Sequence, residues 1–446
     1  MTAVQTRRRL LAGLAALPTV SLVPDARADS ETDVVVIGAG AAGLAASREL
    51  RRNQLRVTTL EARNRIGGRA YTDHEIFGVP YDTGAHWLQG GIRNPFLRSA
   101  ERDGFTVYPA PDNEIVYIGN REATDAEYAA FDLARRTTLA AISAAGRRGR
   151  DVSPAEVVPD TGEWHDLVHF SIGPYEEGKD YDGFSCLDWW ESGGGADRYC
   201  REGYGALLAH SARDIPVHLS TPATTVDWSG NGVVVSTESG SIRAHACLVT
   251  TSTGVLAAGS IRFNPVLPVE KQESFAKISM GFYDHVALLF SENIFGTEAD
   301  GYFFYNADTH GAQSPALTGF LTNVSGTPLT LADVGGNFAR ELEVAGRDAA
   351  IDFVRGELRR LFGTGVDRYI VGADFVPWGL DRWTRGAYAS AEPGAYALRR
   401  VLRQPVGDRI WFAGEACSPA HWATVHGAQR TGQDAARDIS RHLSGI

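Results

Sequence analysis

Three glycines and one glutamate have the spacing of a dinucleotide-binding turn. Gly38, Gly40 and Gly43 follow the apolar run at residues 34–37, and Glu61 comes 18 residues after Gly43. Glycines in such a turn permit a sharp bend, close approach of the backbone to a pyrophosphate and tight packing of a helix on a strand. An acidic side chain at the position of Glu61 accepts hydrogen bonds from ribose hydroxyls. The spacing therefore predicts that the chain binds a dinucleotide.

Two strands and a helix must position these residues. Residues 34–37 and 56–60 have the apolar, β-branched composition of buried strands, and residues 44–50 have helical character. The order is strand, turn, helix, strand, with the helix N-terminus directed at the phosphates. This order predicts a Rossmann-like α/β domain at the start of the folded chain.

Composition and charge restrict the class of protein. The chain has 446 residues, 43% of them hydrophobic, which is enough for two domains with apolar cores. Its formal net charge of -11 argues against nucleic acid as a partner and is compatible with a cationic substrate. The acidic segment at residues 176–182 would suit an entrance that steers cations, but we expect it to be a solvated loop. The cysteines lack metal-ligand spacing, so no metal site is predicted, and an oxidising compartment would permit a disulfide between Cys186 and Cys200.

The first 28 residues have the pattern of an export signal. Arg7 and Arg8 precede an apolar stretch at residues 10–23, and small residues at 26–28 suit a cleavage site. We therefore predict a twin-arginine signal peptide over residues 1–28, with the Tat export machinery as a partner and a periplasmic or secreted location. No internal run is long enough to predict a stable membrane span.

Two segments after the glycine turn resemble those of a known family. Residues 61–69 resemble the segment of the flavin amine oxidase superfamily whose glycines, here including Gly68, pass the pyrophosphate of FAD and whose arginine, here Arg69, neutralises it. Residues 81–90 resemble the element of polyamine and monoamine oxidases that lies against the isoalloxazine ring. The resemblance puts Gln89 where many polyamine oxidases have an acidic residue or a histidine that senses the substrate nitrogen. Glutamine accepts a hydrogen bond but has no charge.

Residues 378–388 resemble the amine oxidase motif that builds one wall of an aromatic cage. By this resemblance Trp383 packs on the flavin and Tyr388 forms the wall. Animal monoamine oxidases have the flavin-linking cysteine directly before this tyrosine, whereas this chain has Ala387. Since alanine has no thiol, we predict that FAD is bound non-covalently.

The C-terminal motif implies the remaining contacts of the flavin. By resemblance, Glu415 binds the ribityl hydroxyls and the backbone of Val425 meets the pyrimidine edge. A helix N-terminus there would stabilise negative charge on the reduced ring. Thr424 replaces an aromatic residue that many relatives use as the second wall of the cage. His421 or Trp422 would then form that wall.

One position departs from the family pattern. Four residues after Gly281 the family usually has a lysine that holds a water near flavin N5, and this chain has His285. An imidazole can hold the same water, is mostly neutral near pH 7, and can therefore also act as a base. The alternative is that His285 is only a spacer and that Lys277 reaches the site.

The resemblance spans both ends of the chain and its middle, and implies a two-domain enzyme. A discontinuous Rossmann-like FAD-binding domain (29–90, 200–268 and 378–446) would carry an interposed α+β substrate-binding domain (91–199 and 269–377). The implied cofactor-binding residues are Gly38, Gly40, Ala42, Gly43, Glu61, Arg63, Gly68, Arg69, Ala85, His86, Trp87, Ala223, Trp383, Gly414, Glu415, Thr424 and Val425. The implied catalytic residues are His285, Tyr388 and Trp422, and the substrate-binding residues are Gln89, Tyr388, His421 and Trp422.

The implied reaction is oxidation of a polyamine or primary amine to an imine or aldehyde. A hydride equivalent passes to the flavin, and oxygen or another acceptor takes the electrons, giving hydrogen peroxide when it is oxygen. One alternative is an L-amino acid oxidase, which needs arginines such as Arg340, Arg382 or Arg385 to hold a carboxylate. Another is a non-catalytic flavin-binding protein of the cell envelope. The sequence leaves the particular amine and the oligomeric state open.

Overall fold

The computed structural model describes residues 30–112, 114–306 and 316–445, so the predicted signal peptide lies outside the described residues. The strands are β1 (Ser30–Ile37), β2 (Val57–Leu60), β3 (Thr72–Asp73), β4 (Tyr81–Asp82), β5 (Val107–Pro109), β6 (Glu114–Ile118), β7 (Arg121–Glu122), β8 (Arg198–Cys200), β9 (Ala223–Asp227), β10 (Val233–Thr237), β11 (Gly240–Val249), β12 (Arg262–Asn264), β13 (Ile278–Met280), β14 (Tyr283–Phe290), β15 (Gly301–Asn306), β16 (Gly319–Thr322), β17 (Leu329–Gly335), β18 (Ile370–Phe375), β19 (Ala389–Ala391) and β20 (Ile410–Phe412). The α-helices are α1 (Ala41–Arg52), α2 (Phe96–Asp103), α3 (Asp125–Arg147), α4 (His165–Ile172), α5 (Pro174–Glu177), α6 (Cys186–Glu191), α7 (Tyr204–Ser211), α8 (Thr253–Ala257), α9 (Val269–Lys277), α10 (Gly336–Ala345), α11 (Arg347–Phe362), α12 (Leu398–Arg403) and α13 (Val425–Ser444). Short 3-10 helices span Gly91–Arg93, Pro154–Glu156, Gly162–Trp164, Val324–Gly326, Thr364–Tyr369 and Glu415–Cys417.

The first sheet has the order β12-β9-β10-β11-β1-β2, and β20 also pairs with β11. β1 is parallel to β2 and β11, and β11 is parallel to β20. Since side chains alternate along a strand, Val34 and Val36 pack with α1 and α13, whereas Val35 and Ile37 face the opposite core. β10 is antiparallel to β9 and β11. The parallel strands β2, β1, β11 and β20 are packed on both faces, which is typical of a Rossmann-like fold, and the predicted fold class is confirmed.

The second sheet has the order β18-β14-β17-β16-β15-β6-β7 and is mainly antiparallel. Its buried face packs with residues of α3, α4, α10 and α11, for example Val286 and Val334 against Phe170 and Val354. Helices segregated on one side of an antiparallel sheet make this an α+β unit. In chain order, this unit interrupts the elements of the first sheet.

The two units exchange elements near their junction. Residues of α9 and β13, which the sequence assigns to the substrate-binding domain, pack in the core of the first sheet through Phe275 and Ile278. β13 also pairs with β19, which the sequence assigns to the other domain. The expected division of the chain at residue 269 therefore runs through a packed core.

Several elements have the predicted bounds. The sequence at residues 96–103 and 347–362 has the periodicity of a helix, and α2 and α11 span these residues. α13 begins at Val425 because the Thr424 side chain accepts a hydrogen bond from the Gly427 amide and caps the helix. Among the described residues, every helix is too short or too polar to cross a membrane.

The four cysteines are all free and buried. Cys186 packs in the core of the second sheet, whereas Cys200 packs beside α7 in a different core. The disulfide that the sequence permitted between them is therefore not formed.

Candidate functional site

A cavity of about 630 Å³ runs between the two units, and its wall includes most of the predicted site residues. This volume lies in the range of cofactor and ligand sites. The predicted residues on its wall are Gly38, Gly40, Ala42, Glu61, Arg63, Gly68, Arg69, Ala85, His86, Trp87, Gln89, Ala223, His285, Trp383, Tyr388, Gly414, Glu415, Trp422, Thr424 and Val425. Gly43 and His421 are not among the residues that line it.

The glycine turn has three different constraints. Gly38 has φ of +103°, a conformation that favours glycine. A Cβ on Gly43 would overlap the carbonyl oxygen of Gly38, so Gly43 permits packing of α1 on the turn. A Cβ on Gly40 would meet only the Gly67 carbonyl oxygen, at 4.0 Å, although Gly40 lines the cavity. Gly40 therefore leaves room for a ligand.

Glu61 is held at the end of β2 by two backbone amides. Its carboxylate accepts hydrogen bonds from Ala39 N at 2.8 Å and from Arg63 N at 2.9 Å. Each carboxylate oxygen has a second lone pair for a further donor. Glu61 is therefore fixed with free acceptor capacity on the cavity wall, as recognition of a ribose requires.

Arg69 and Glu415 form an ion pair across the cavity wall. Arg69 Nη1 lies 2.8 Å from Glu415 Oε1 and donates to the Ala387 carbonyl oxygen at 2.7 Å. Glu415 Oε2 accepts from the amide of Ala423 at 3.0 Å and from that of Ala389 at 3.3 Å. These contacts link the segment around Arg69 to the turn before β19 and to the residues just before α13.

The residues of this wall fit a flavin dinucleotide. A Cβ on Gly414 would meet only a carbonyl oxygen at 4.0 Å, so Gly414, like Gly40, leaves space along the cavity. The N-terminal residues of α1 and α13 both line the cavity and supply helix dipoles and free amides for negatively charged groups. The site thus has amides and an arginine for a pyrophosphate, and carboxylates for sugar hydroxyls.

Aromatic side chains crowd one part of the cavity, which we call the aromatic end (Trp87, Tyr175, Tyr283 and Tyr388). The ring centroids of Tyr283 and Tyr388 are 5.9 Å apart, those of Tyr175 and Tyr283 are 6.0 Å apart, and those of Trp87 and Tyr175 are 6.3 Å apart. Burial raises the pKa of all three tyrosines well above its ordinary value, so these hydroxyls stay protonated. This end can enclose an apolar chain and exclude water.

The sequence did not identify Tyr175 and Tyr283 as site residues. Tyr283 lies two residues before His285 on β14 and therefore on the same face of the strand, a signal that could have found it. Tyr175 lies in the four-residue helix α5, which is too short for a periodic pattern. It contributes its backbone as well, since its carbonyl oxygen accepts a hydrogen bond from the Tyr388 hydroxyl at 3.4 Å.

Trp422 and His421 are separated by the structure. Trp422 lines the cavity and lies under the guanidinium of Arg399, 5.2 Å from its ring centroid. Arg399 forms a buried ion pair with Asp188. His421 instead lies beside the His426 ring, with centroids 4.9 Å apart. Of the two residues expected as the second wall, Trp422 lines the cavity, and His421 lies behind Gly193 of the cavity wall.

Three carboxyl groups line the cavity near the aromatic end, and sequence reasoning missed them. Glu176 and Glu177 belong to α5, and Asp197 follows the glycine-rich segment at residues 193–195. The expectation that residues 176–182 form a solvated loop is wrong, because Glu177 is only 5% exposed. Desolvation raises the pKa of Asp197 to about 6 and that of Glu177 well above its ordinary value. It also raises the pKa of Glu176 to about 7, although the Glu176 side chain is 39% exposed and lies 3.8 Å from Arg135, whose charge acts to lower that pKa. Glu177 Oε2 has no hydrogen-bond partner among the described residues.

His285 is buried and bonded on both sides of its ring. Its Nδ1 lies 2.6 Å from Asp333 Oδ1, and its Nε2 lies 3.0 Å from the carbonyl oxygen of Gly84. Burial acts to lower the pKa of the imidazole, but the hydrogen bond and charge of Asp333 outweigh it, and the pKa is raised. The direction of this shift favours the charged imidazole, whereas the sequence predicted a mostly neutral one. Lys277, the alternative, forms an ion pair with Glu392 at 2.8 Å and is half-exposed.

Arginines in the cavity are few and already paired. Of the described residues, Arg63 and Arg69 line it, and Arg63 forms an ion pair with Asp381 at 2.7 Å. The arginines considered for binding a carboxylate lie elsewhere: Arg340 stacks on Phe282, and Arg382 stacks on the ring of Trp383. The wall of the aromatic end is therefore acidic, which suits a cation better than a carboxylate.

Comparison with known proteins gives consistent similarities. Residues 168–440 match the family model of flavin containing amine oxidoreductase, and residues 36–100 match an NAD(P)-binding Rossmann-like domain. The chain is 29% identical to polyamine oxidase 5 of Oryza sativa subsp. japonica over 94% of this chain and 90% of that protein. It is 30% identical to probable polyamine oxidase 4 of Arabidopsis thaliana over 95% of this chain and 90% of that protein. A solved structure of putrescine oxidase bound to putrescine has a similar fold, with a TM-score of 0.74 and 22% identity, over 92% of this chain and 99% of that chain.

Proposed function

The chain belongs to the flavin-containing amine oxidoreductase family, and from this premise we propose that it oxidises an amine bearing a second cationic nitrogen, a diamine or polyamine. As a family member it is an amine-oxidising flavoenzyme. The observation that carries the finer proposal is the set of carboxyl groups, Glu176, Glu177 and Asp197, on the wall near the aromatic end. Relatives named polyamine oxidase agree with it.

Different residues of the cavity bind different parts of the substrate. The aromatic end encloses the alkyl chain beside the reacting nitrogen and excludes water. A carboxylate near this end receives the second, protonated nitrogen, since a buried ammonium needs a paired charge. Desolvation by the aromatic rings favours the neutral form of the reacting nitrogen, whose lone pair the oxidation requires. The bound flavin supplies the two-electron acceptor.

We propose FAD as the flavin, bound without a covalent link. Support comes from Glu61, which has free acceptor capacity for a ribose, and from the cysteines, none of which lines the main cavity. Denaturation with acid and centrifugation should leave all yellow colour in the supernatant. Colour that stays with the precipitated chain would contradict non-covalent binding.

Anaerobic reduction of the flavin by a panel of compounds tests the proposed substrate class. Spermidine and putrescine should bleach the flavin absorbance faster than phenethylamine, and amino acids should not bleach it. Air should then restore the colour and yield one peroxide per turnover if oxygen is the acceptor. Faster reduction by an amino acid would instead favour an L-amino acid oxidase, and no reduction by any compound would favour a flavin-binding protein without catalysis.

We also propose export by the twin-arginine route, as the signal at residues 1–28 suggests. This route carries folded proteins and thus suits a chain that acquires its cofactor before export. Expression of the full chain in a bacterium and mass spectrometry of the periplasmic product should find a new N-terminus at residue 29. Replacement of Arg7 and Arg8 by lysine should retain the product in the cytoplasm, and unchanged export would contradict the proposal.

A further inference from the structure

His285 faces a hydrogen-bond acceptor on each side of its ring. Nδ1 faces the carboxylate of Asp333 at 2.6 Å, and Nε2 faces the carbonyl oxygen of Gly84 at 3.0 Å. A neutral imidazole has one N–H group, so it would leave one ring nitrogen with its lone pair against an acceptor. Only an imidazolium donates to both. The geometry therefore favours two protons on the ring.

Asp333 is held in place by the strand register and by two hydrogen-bonding neighbours. It is fully buried and lies directly opposite His285 in the β14–β17 register. Its second oxygen accepts a hydrogen bond from the Tyr302 hydroxyl at 3.2 Å. His285 and Tyr302 thus fix both oxygens of this carboxyl group. The pair is thus an ion pair whose partners are fixed by the register of the sheet.

The other ionisable groups around His285 come from several elements. Tyr283 lies on its own strand with a ring centroid 5.6 Å away, Tyr302 comes from β15, and Tyr175 comes from α5. Asp82 of β4 adds a second negative charge that favours the imidazolium. Because these tyrosines keep their protons, the charges that act on the ring from the described residues are those of Asp333 and Asp82, and both favour the imidazolium.

We propose that His285 is a permanent imidazolium and that Asp333 is the positioning residue that keeps both protons on it. Held in this way, the ring anchors the Gly84 carbonyl, and through it residues 84–87 on the cavity wall. It also puts a fixed positive charge beside the aromatic end, which favours negative charge on a ring bound there. Since the imidazolium has no free lone pair, His285 does not serve as a base.

Histidine NMR of the holoenzyme measures this charge state directly. In protein with ¹⁵N-labelled histidine, the signal lost in His285→Gln identifies the residue. We expect that signal to have imidazolium shifts from pH 6 to 8.5 without titration. In Asp333→Asn the same signal should titrate, with a midpoint lowered by more than about one pH unit. Asp374→Asn on the neighbouring strand β18 is the matched control and should leave the signal unchanged. A neutral His285 at pH 7 in the wild type would overturn the proposal.

The reduction potential of the bound flavin tests the consequence of the charge. His285→Gln and Asp333→Asn should both make the potential more negative, whereas His285→Lys, which restores a cation, should return it towards the wild-type value. An Asp333→Asn potential equal to that of the wild type would overturn the positioning role. These readouts report the charge of one side chain, so they are independent of which amine the enzyme oxidises.

Discussion

At the scale of single residues, burial determines what the charged groups of the cavity can do. Glu176, Glu177 and Asp197 are raised in pKa because their surroundings disfavour charge. His285 is raised in pKa because Asp333 outweighs the same effect. The cavity therefore has an imidazolium on one strand and two carboxyl groups, Glu176 and Asp197, that become charged near neutral pH. A substrate with one neutral and one protonated nitrogen matches this distribution.

The pKa of Glu176 predicts a pH dependence for binding of diamines. Since its carboxyl ionises as the pH rises through about 7, the KM for putrescine should fall relative to that for a monoamine between pH 6 and 8. The ratio of the two KM values cancels the deprotonation of the reacting nitrogen, which both substrates share. In Glu176→Gln the KM for putrescine should rise about tenfold relative to that for the monoamine. The ratio of the two KM values should then no longer depend on pH.

The control is Glu191→Gln, an exposed residue at the end of α6 that does not line the cavity. It should behave as the wild type in both respects. If the ratio in Glu176→Gln keeps the wild-type pH profile, Glu176 does not receive the second nitrogen.

The space beside Gly40 predicts that a larger residue at this position causes a selective loss of the cofactor. Its φ of -79° suits alanine, and a Cβ there would enter the cavity without meeting protein atoms closer than 4.0 Å. Gly40→Ala should therefore fold with wild-type circular dichroism but purify with a lower ratio of flavin to protein absorbance. The matched control is Gly356→Ala in α11, where a Cβ meets nothing within 4 Å, and which should be neutral or stabilising by up to about 1 kcal/mol. Full flavin content in Gly40→Ala would show that this turn does not hold the pyrophosphate.

At the scale of elements, the turn before Trp383 is held by two buried carboxyl groups. Asp284 of β14 accepts from the Trp378 amide at 3.0 Å, and Glu343 of α10 accepts from the Gly379 amide at 2.6 Å. Burial raises the pKa of both groups. The charge of Glu343 raises the pKa of Asp284 further, well above its ordinary value, whereas the hydrogen bond with Asp284 acts to lower the pKa of Glu343. The two carboxyl groups are therefore stable when they share one proton, and the state in which both are charged is unfavourable.

This pair predicts a loss of stability at high pH. A carboxyl with a raised pKa in the folded state gives its full stabilisation below its unfolded pKa near 4, and loses it as the pH rises through the folded value. Over that window the free energy of unfolding should fall by up to about 1.4 kcal/mol per pH unit. Urea unfolding from pH 5 to 9 measures the slope. Asp284→Asn should flatten it, whereas Asp348→Asn, whose side chain is 98% exposed, should leave it as in the wild type.

Elements with a periodic pattern or a glycine-rich turn could be predicted from the sequence, and so could most of the cavity wall that they form. α11 and the turn at Gly38 are examples, because their signals are local. The partner of His285 could not be predicted, because Asp333 is 48 residues away and only the strand register brings it opposite. The burial of Glu177 was not predicted for a related reason. An acidic segment indicates exposure to solvent unless a second unit packs over it.

At the scale of the whole molecule, the cavity lies where distant parts of the chain meet. Arg69 and Glu415, 346 residues apart in sequence, are paired on its wall. The carboxylate of Glu415 also binds amides before α13 and at β19. A flavin in this cavity contacts the glycine turn, these linked segments and the aromatic end together. Its binding energy is therefore coupled to the association of the two units.

Removal of the flavin should accordingly lower the stability of the whole chain. A ligand that binds only the folded state stabilises it by about 4 kcal/mol when its free concentration is ~1,000 times its Kd. Holoenzyme should unfold at a higher Tm than apoprotein prepared by dialysis against bromide, and added FAD should restore the Tm in a concentration-dependent manner. In Glu415→Gln the apoprotein should already have a lower Tm, because Arg69 loses its charged partner, and added FAD should raise it less. Equal Tm values for holoenzyme and apoprotein would mean that the two units associate without help from the cofactor. The ion pair between Arg69 and Glu415 would then hold the two units together without it.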